Sequence, residues 1–142
     1  MQGENRIARA HALHQQGHLD EAEREFRAAL DTCVRTLGPD HPDTTQTHRL
    51  LVSVLLDAGR LADAEREHRT VLETCTRTLG PEHPETLGTL TNHGRMLQDL
   101  GRLDEAVRAH LAVLEGAGQL SEHRQVIADA ARANLAAARR EQ

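Results

Sequence analysis

One eight-residue stretch occurs twice in the chain, at an interval of 42 residues. Residues 37–44 are Leu-Gly-Pro-Asp-His-Pro-Asp-Thr, and residues 79–86 are Leu-Gly-Pro-Glu-His-Pro-Glu-Thr. The longer windows 17–44 and 59–86 are identical at 18 of 28 positions. A Gly-x-Leu triplet follows the same interval and begins at Gly17, Gly59 and Gly101. An internal repeat of this length predicts supersecondary units that stack on one another.

We call the two repeated stretches, residues 37–44 and 79–86, the joints. Apolar residues recur at helical spacing in the segments before and after them. In the segment 19–37 they form one stripe with a period of 3.6 residues, which is typical of an amphipathic helix. Each Gly-Pro pair ends a helix, and each His-Pro pair begins one, because Pro at the first helical position loses no hydrogen bond. The pattern predicts helices at 4–16, 19–37, 42–58, 61–79, 84–100, 103–116 and about 121–140.

The composition favours helix-on-helix packing and excludes several functions. Aromatic residues make up 1% of the 142 residues, and there is no Lys, so a Walker A loop and Schiff-base chemistry are excluded. The net charge of −5 and the lack of aromatic residues for base stacking argue against nucleic-acid binding. The apolar runs are too short to cross a bilayer, and the N-terminus lacks a signal-peptide pattern. We therefore expect a cytoplasmic protein without a membrane partner.

Several helix positions resemble the tetratricopeptide repeat. Leu51, Val52 and Leu55 follow that family's large–small–large pattern in the first helix of a pair. The Ala-x3-aromatic pattern of the second helix corresponds to Ala22-x3-Phe26, Ala64-x3-His68 and Ala106-x3-His110. The 42-residue period and the joint sequence resemble the kinesin-light-chain type, which is also common in bacterial signalling proteins. His replaces two of the family aromatics, and we expect both His68 and His110 to take over their packing role.

The resemblance implies an all-α fold, an α-solenoid of three helix pairs in a right-handed superhelix. The pairs would span about 4–38, 41–80 and 83–117, and the helix at 121–140 would cap the stack within one domain, 1–142. It also implies a concave face lined by the first helix of each pair, and a role in binding proteins or peptides. Without Lys, the Lys/Asn clamp that some family members use for acidic C-termini cannot form.

The cysteines and the joint histidines each occupy equivalent repeat positions. Equivalent helices lie about 8–10 Å apart, too far for a disulfide, so we expect Cys33 and Cys75 to be buried free thiols. We expect His41 and His83 to cap the helices that follow them.

His11 and His14 lie three residues apart, on one face of the first helix. Two imidazoles at this spacing can share a metal ion, but a site needs three or four ligands, and no further ligand obviously converges on them. We therefore interpret them as polar residues in the groove and expect no metal and no cofactor.

Acidic residues alternate with Arg in the second helices. Glu23 with Arg27, and Glu65 with Arg69, are four residues apart, a spacing that predicts ion pairs on the solvent face. They are not interpreted as catalytic carboxylates. The two serines, Ser53 and Ser121, are not in nucleophile motifs. We expect no enzyme activity.

The predicted groove is polar and contains two Arg residues. Arg suits bidentate recognition of a carboxylate, so the expected partner is a protein or peptide with an acidic group. The alternative is that Arg49 and Arg95 pair internally with Asp57 and Asp99. The predicted partner-binding residues are His11, His14, Gln46, Arg49, Ser53, Asp57, Asn92, Arg95 and Gln98.

Two hypotheses for the function follow. The first is a non-catalytic scaffold that binds a protein or peptide in the groove. The second is a self-associating or sensor fragment of a larger regulatory protein, which would form a homo-oligomer through the ends of the repeat stack. The first helix has only a weak apolar pattern, and the last helix has no partner helix after it. These two features motivate the second hypothesis.

Overall fold

The structure, a computed structural model, describes the backbone of residues 2–118 and 124–141 and the side chains of residues 5–118 and 128–141. Within those residues the chain forms seven α-helices and no strand. The helices are α1 (Gln2–Gln15), α2 (Leu19–Leu37), α3 (Pro42–Asp57), α4 (Leu61–Leu79), α5 (Pro84–Asp99), α6 (Leu103–Ala117) and α7 (Arg124–Glu141).

The helix bounds agree with the prediction to within two residues wherever the structure describes them. The exception is the start of the last helix, predicted near residue 121, which lies outside the described residues. We refer to α1, α3, α5 and α7 as A helices and to α2, α4 and α6 as B helices.

The two joints have the same geometry. Gly38 and Gly80 end their helices with φ of +92° and +95°, a conformation that glycine adopts at little cost. Nδ1 of His41 accepts a hydrogen bond from the backbone N–H two residues later at 3.0 Å, and Nδ1 of His83 does so at 3.1 Å. The predicted capping role of the two histidines is confirmed.

The chain divides into two compact units, Met1–Thr74 and Cys75–Gln142, which we call unit 1 and unit 2. In unit 1, α1 packs on α2, and α2 packs on α3. Small and aliphatic side chains and the Phe26 ring fill its core at the close packing usual for protein interiors. The buried apolar residues are Ala10, Ala22, Phe26, Ala29, Cys33, Leu51, Val52, Val54, Leu55, Ala64 and Val71.

In unit 2, α6 packs on both α5 and α7, and α5 also contacts α7. Its buried apolar residues are Cys75, Leu87, Met96, Leu97, Ala106, Ala109, Val113, Ala117, Ala128, Ala131, Leu135 and Ala138. Both cysteines are buried free thiols, as predicted. The alanines of the Ala-x3-aromatic pattern are buried as well, since Ala22, Ala64 and Ala106 have no exposed surface. A single domain in a right-handed superhelix stays a prediction.

Candidate functional site

Unit 1 carries six of the predicted partner-binding residues. His11 and His14 lie on α1, and the other four lie on α3. Nε2 of His14 and Oδ2 of Asp57 are 2.5 Å apart, so the last turns of these two A helices are joined by a short hydrogen bond. His14 is largely buried in this contact, whereas Asp57 remains mostly exposed.

The remaining residues of this surface differ in their exposure and in their contacts within the chain. Gln46 and Ser53 are exposed on α3, whereas Arg49 is half-buried and engaged within the chain. His11 is exposed as a residue, but its ring meets the Phe26 ring edge-on, with centroids 6.4 Å apart and planes at 78°. The His11 imidazole is therefore in edge-to-face contact with an aromatic side chain of the core.

Unit 2 carries the other three predicted residues on α5. Asn92 and Arg95 are exposed, and Gln98 is half-buried. Nε2 of Gln98 donates a hydrogen bond to Oε1 of Glu141 on α7 at 3.0 Å. This bond joins the last turns of two consecutive A helices, as the His14–Asp57 bond does in unit 1.

The two interhelix bonds occupy equivalent positions in the repeat. His14 and Gln98 are two repeat lengths apart, and so are their acceptors Asp57 and Glu141. A donor near the end of one A helix thus bonds an acid at the end of the next A helix in each unit. The acids at positions 57, 99 and 141 follow the 42-residue interval, so this signal is visible in the sequence.

Arg95 is a charged side chain that this surface leaves available. Among the residues that the structure describes, its guanidinium forms no hydrogen bond and no ion pair, and the alternative pairing with Asp99 is not formed. A guanidinium offers five N–H donors in a planar fork, so Arg95 can bind a carboxylate without first breaking an internal contact.

Comparison with known proteins identifies the family. The sequence matches the tetratricopeptide repeat over residues 4–66 and again over residues 45–119, which is most of the chain. This chain belongs to the tetratricopeptide repeat family. No curated protein matches it.

Several solved structures share the fold of this tetratricopeptide repeat protein. BtubC (BKLC) from P. vanneervenii is 17% identical, with a TM-score of 0.71 over 97% of this chain and 62% of that chain. A putative kinesin light chain with TPR-like repeats from Podosopora anserina is 24% identical, with a TM-score of 0.72 over 95% of this chain and 64% of that chain. The chain thus spans less than two thirds of these proteins. The predicted resemblance to kinesin-light-chain repeats is confirmed at the level of fold.

The structure corrects the prediction for one ion pair of this repeat protein. Nη2 of Arg69 lies 2.6 Å from Oε1 of Glu65, as the spacing predicted, but Glu65 is only 1% exposed and does not lie on the solvent face. No sequence signal identifies this burial, because Glu23 follows the buried Ala22 in the same way and remains partly exposed. A carboxylate so placed is held by its Arg partner, because an unpaired buried charge would be costly.

A charged cluster in unit 1 was also missed by the sequence analysis. Arg60, in the turn before α4, binds Glu23 of α2 and Asp63 of α4, and Glu23 also binds Arg27 at 2.8 Å. The hydrogen bond from Arg60 holds the pKa of Asp63 below its usual value. The spacing of four residues predicted the contact between Glu23 and Arg27 within α2. The contact between Arg60 and Glu23 depends on how the segments pack together, which spacing does not show.

The two histidines that replace family aromatics are buried, as predicted. His110 is the extreme case, since it is 0% exposed and neither ring nitrogen has a hydrogen-bond partner among the described residues. Burial lowers the pKa of His110, because the charged imidazolium would be poorly solvated there.

No group of three or more His, Cys, Asp or Glu side chains in the described part of the chain could hold a metal ion. No described helix has the length and apolar character that a membrane span requires.

Proposed function

We propose that this tetratricopeptide repeat protein is a non-catalytic scaffold that binds a protein or peptide partner through exposed residues of its A helices. Arg95 is the residue expected to contribute most. The observation that carries the proposal is its exposed guanidinium without an internal partner, on α5 beside the exposed amide of Asn92. The proposed contacts in unit 1 are those of α1 and α3, around the His14–Asp57 bond.

The proposed ligand is a peptide segment that carries a carboxylate. Arg95 would bind the carboxylate with two parallel N–H···O bonds, which are stronger than bonds between neutral groups. The side-chain amide of Asn92, on the same helix, offers a donor and an acceptor for the backbone of an extended peptide. The proposal includes a cytoplasmic setting and involves no nucleic acid, cofactor or catalytic step.

The test compares three forms of the full chain as bait in lysate of the source organism. They are the wild type, Arg95→Ala, and Arg108→Ala as a control on α6, where the replaced Arg is also exposed. Each partner captured by the wild type is then produced and titrated against all three forms. We expect Arg95→Ala to weaken binding by about 1 kcal/mol or more, and Arg108→Ala to leave it unchanged.

Unfolding curves of both variants should match that of the wild type, which separates a lost contact from a lost fold. Equal affinity of the partner for all three forms would refute the role of Arg95. Capture of the chain itself, with a mass that rises with concentration in sedimentation, would support the alternative function in self-association.

A further inference from the structure

The contact between α5 and α6 in unit 2 contains a buried imidazole. His110 of α6 has no exposed surface, and neither of its ring nitrogens has a hydrogen-bond partner among the described residues. The ring lies against α5, since a Cβ atom added at Gly94 would be 2.7 Å from Cε1 and 3.0 Å from Nδ1 of His110. The helices therefore meet at a titratable side chain that nothing in its surroundings holds in one protonation state.

The side chains around this ring offer little to stabilise a positive charge. On α6 itself, the positions one turn before and after His110 are apolar; they are Ala106, Val107, Val113 and Leu114. Leu90 and Leu97 of α5 pack in one apolar cluster with Ala106 and Ala109. The described buried residues of α7 are also apolar; they are Ala128, Ala131, Leu135 and Ala138. An imidazolium in this place would lose its hydration without replacement.

His93 is the titratable residue of α5 that lies beside this contact, since it directly precedes Gly94. It is 7% exposed and is engaged within the chain. Glu105 of α6 is half-buried and is paired with Arg102 at 2.6 Å. The other charged side chains described on α5, α6 and α7 are exposed; they are Glu85, Arg95, Asp99, Asp104, Arg108, Glu115, Asp129, Arg132, Arg139, Arg140 and Glu141.

The repeat shows that this arrangement is particular to unit 2. Phe26 of α2, His68 of α4 and His110 of α6 are equivalent, because they follow one another at intervals of 42 residues. Phe26 has no group that titrates, and His68, although only 4% exposed, is engaged within the chain. Protonation therefore penalises the α5–α6 contact of unit 2 in a way that has no counterpart at Phe26 in unit 1.

The proton binds more readily once the ring has been released to water. A histidine in an unfolded segment titrates near pH 6.5, whereas burial lowers the pKa of His110 in the folded protein. Acid therefore favours the open form, by at most about tenfold for each pH unit. With 16 and 15 residues, α5 and α6 are near the length at which an isolated helix is marginal in water. Their backbone hydrogen bonds should therefore break when the two helices separate.

We propose that His110 makes the α5–α6 contact an acid-sensitive switch, which opens unit 2 locally in mild acid while the α1–α2 contact of unit 1 stays closed. Arg95 directly follows Gly94, so the opening also displaces the proposed partner-binding guanidinium. A partner bound through Arg95 would then be released in acid. This last consequence rests on the proposed function, whereas the opening itself does not.

The test is amide hydrogen exchange of the full chain, followed by NMR between about pH 7.5 and 5.5, where an imidazole titrates. Each exchange rate is divided by the rate of an unstructured amide at the same pH, which gives the opening constant of that amide. We expect the opening constants of Arg95 and Val113 to rise in acid by about threefold to tenfold. The opening constant of Ala29, the repeat equivalent of Val113 on α2, should stay unchanged.

Three variants assign the opening to one imidazole. His110→Phe introduces the residue that α2 has at this repeat position, and it should remove the rise at Arg95 and Val113. If the larger ring prevents folding, His110→Leu decides in its place. His83→Asn is the matched control, because it removes an exposed imidazole of unit 2 and Asn is also favoured at a helix start. The rise should persist in that variant.

Four results would overturn the proposal. The first is an opening constant at Arg95 and Val113 that does not change with pH in the wild type. The second is an equal rise at Ala29, which would mean that the whole chain opens. The third is a rise that survives in a folded His110 variant, which would assign it to another group such as His93. The fourth is loss of the rise in His83→Asn.

Failure of the proposed function would look different. Equal affinity of a partner for the wild type and Arg95→Ala would remove only the release of that partner in acid. The opening constants would still decide whether His110 acts as the switch.

Discussion

Replacing His110 by Leu should stabilise the protein, although it removes a side chain with no exposed surface. A neutral imidazole has one donor and one acceptor, and neither nitrogen of His110 has a partner among the described residues. Each buried polar group left without a bond costs about 1–3 kcal/mol. Leu carries no polar group, and its imperfect packing in place of the imidazole should cost less than about 1.5 kcal/mol of stability. We expect His110→Leu to raise the free energy of unfolding by about 1 kcal/mol at pH 7.

The advantage of the variant should grow in acid. Because burial lowers the pKa of His110 in the folded protein, the unfolded chain, with an imidazole pKa of about 6.5, binds this proton more readily. Wild-type stability is therefore complete above about pH 6.5 and falls as the pH is lowered towards the folded pKa. The loss of wild-type stability is about 1.4 kcal/mol for each unit by which the pKa is lowered. The Leu variant has no titrating group at this position, so it does not undergo this loss.

The measurement is urea unfolding of wild type and His110→Leu at several pH values between 7.5 and 5, roughly the range in which an imidazole titrates. His18→Gln serves as the control, because His18 is exposed. The difference in unfolding free energy between His110→Leu and wild type should widen below about pH 6.5, whereas the control should follow the wild type. A difference that stays constant over this range would show that His110 does not titrate with unfolding, and the reasoning from burial would be wrong.

Three further variants test the packing and the joints by urea unfolding at pH 7. Ala64→Leu should cost about 1–3 kcal/mol through overpacking of a fully buried site, and near-neutral stability would show that the helix-B register is wrong. His41→Ala should cost about 1 kcal/mol through loss of its cap bond, while His18→Ala, at a helix start without a side-chain cap, should not; equal losses would contradict the capping role. Gly94→Ala should destabilise by about 1–3 kcal/mol, because its Cβ would lie 2.7 Å from Cε1 of His110; the gain usual for Gly→Ala in a helix would refute this close packing.

The repeat made the fold predictable, because residues such as Gly38 and Pro42 act locally. A glycine with positive φ ends a helix, and a proline at the first position begins one, whatever packs around them. The burial of Glu65 was not predictable in this way. Its spacing from Arg69 fits a surface ion pair as well as a buried one, and only the packing of α4 decides between them.

The candidate site was predictable to a smaller extent. The periodicity placed His14 and Asp57 on A helices, but their direct bond depends on how α1 and α3 approach each other. The same limit applies to Arg95, since the sequence equally allowed a pair with Asp99 four residues later. The structure leaves that guanidinium available, and this difference makes Arg95 the first residue to test.

The differences between the repeats are coupled through packing. Gly and His-Pro recur at the joints because every helix pair needs the same ends. By contrast, the position that is Thr45 in one repeat is Leu87 in the next, and Thr74 on α4 corresponds to Gly116 on α6. A Cβ atom added at Gly116 would lie 2.6 Å from Cδ2 of Leu87, so the leucine takes the space that a side chain at 116 would need. The larger residue at one position therefore accompanies the smaller residue at the other, as a closely packed interior requires. The repeat spacing identifies each of these positions, but only the contact between the two helices shows that they vary together.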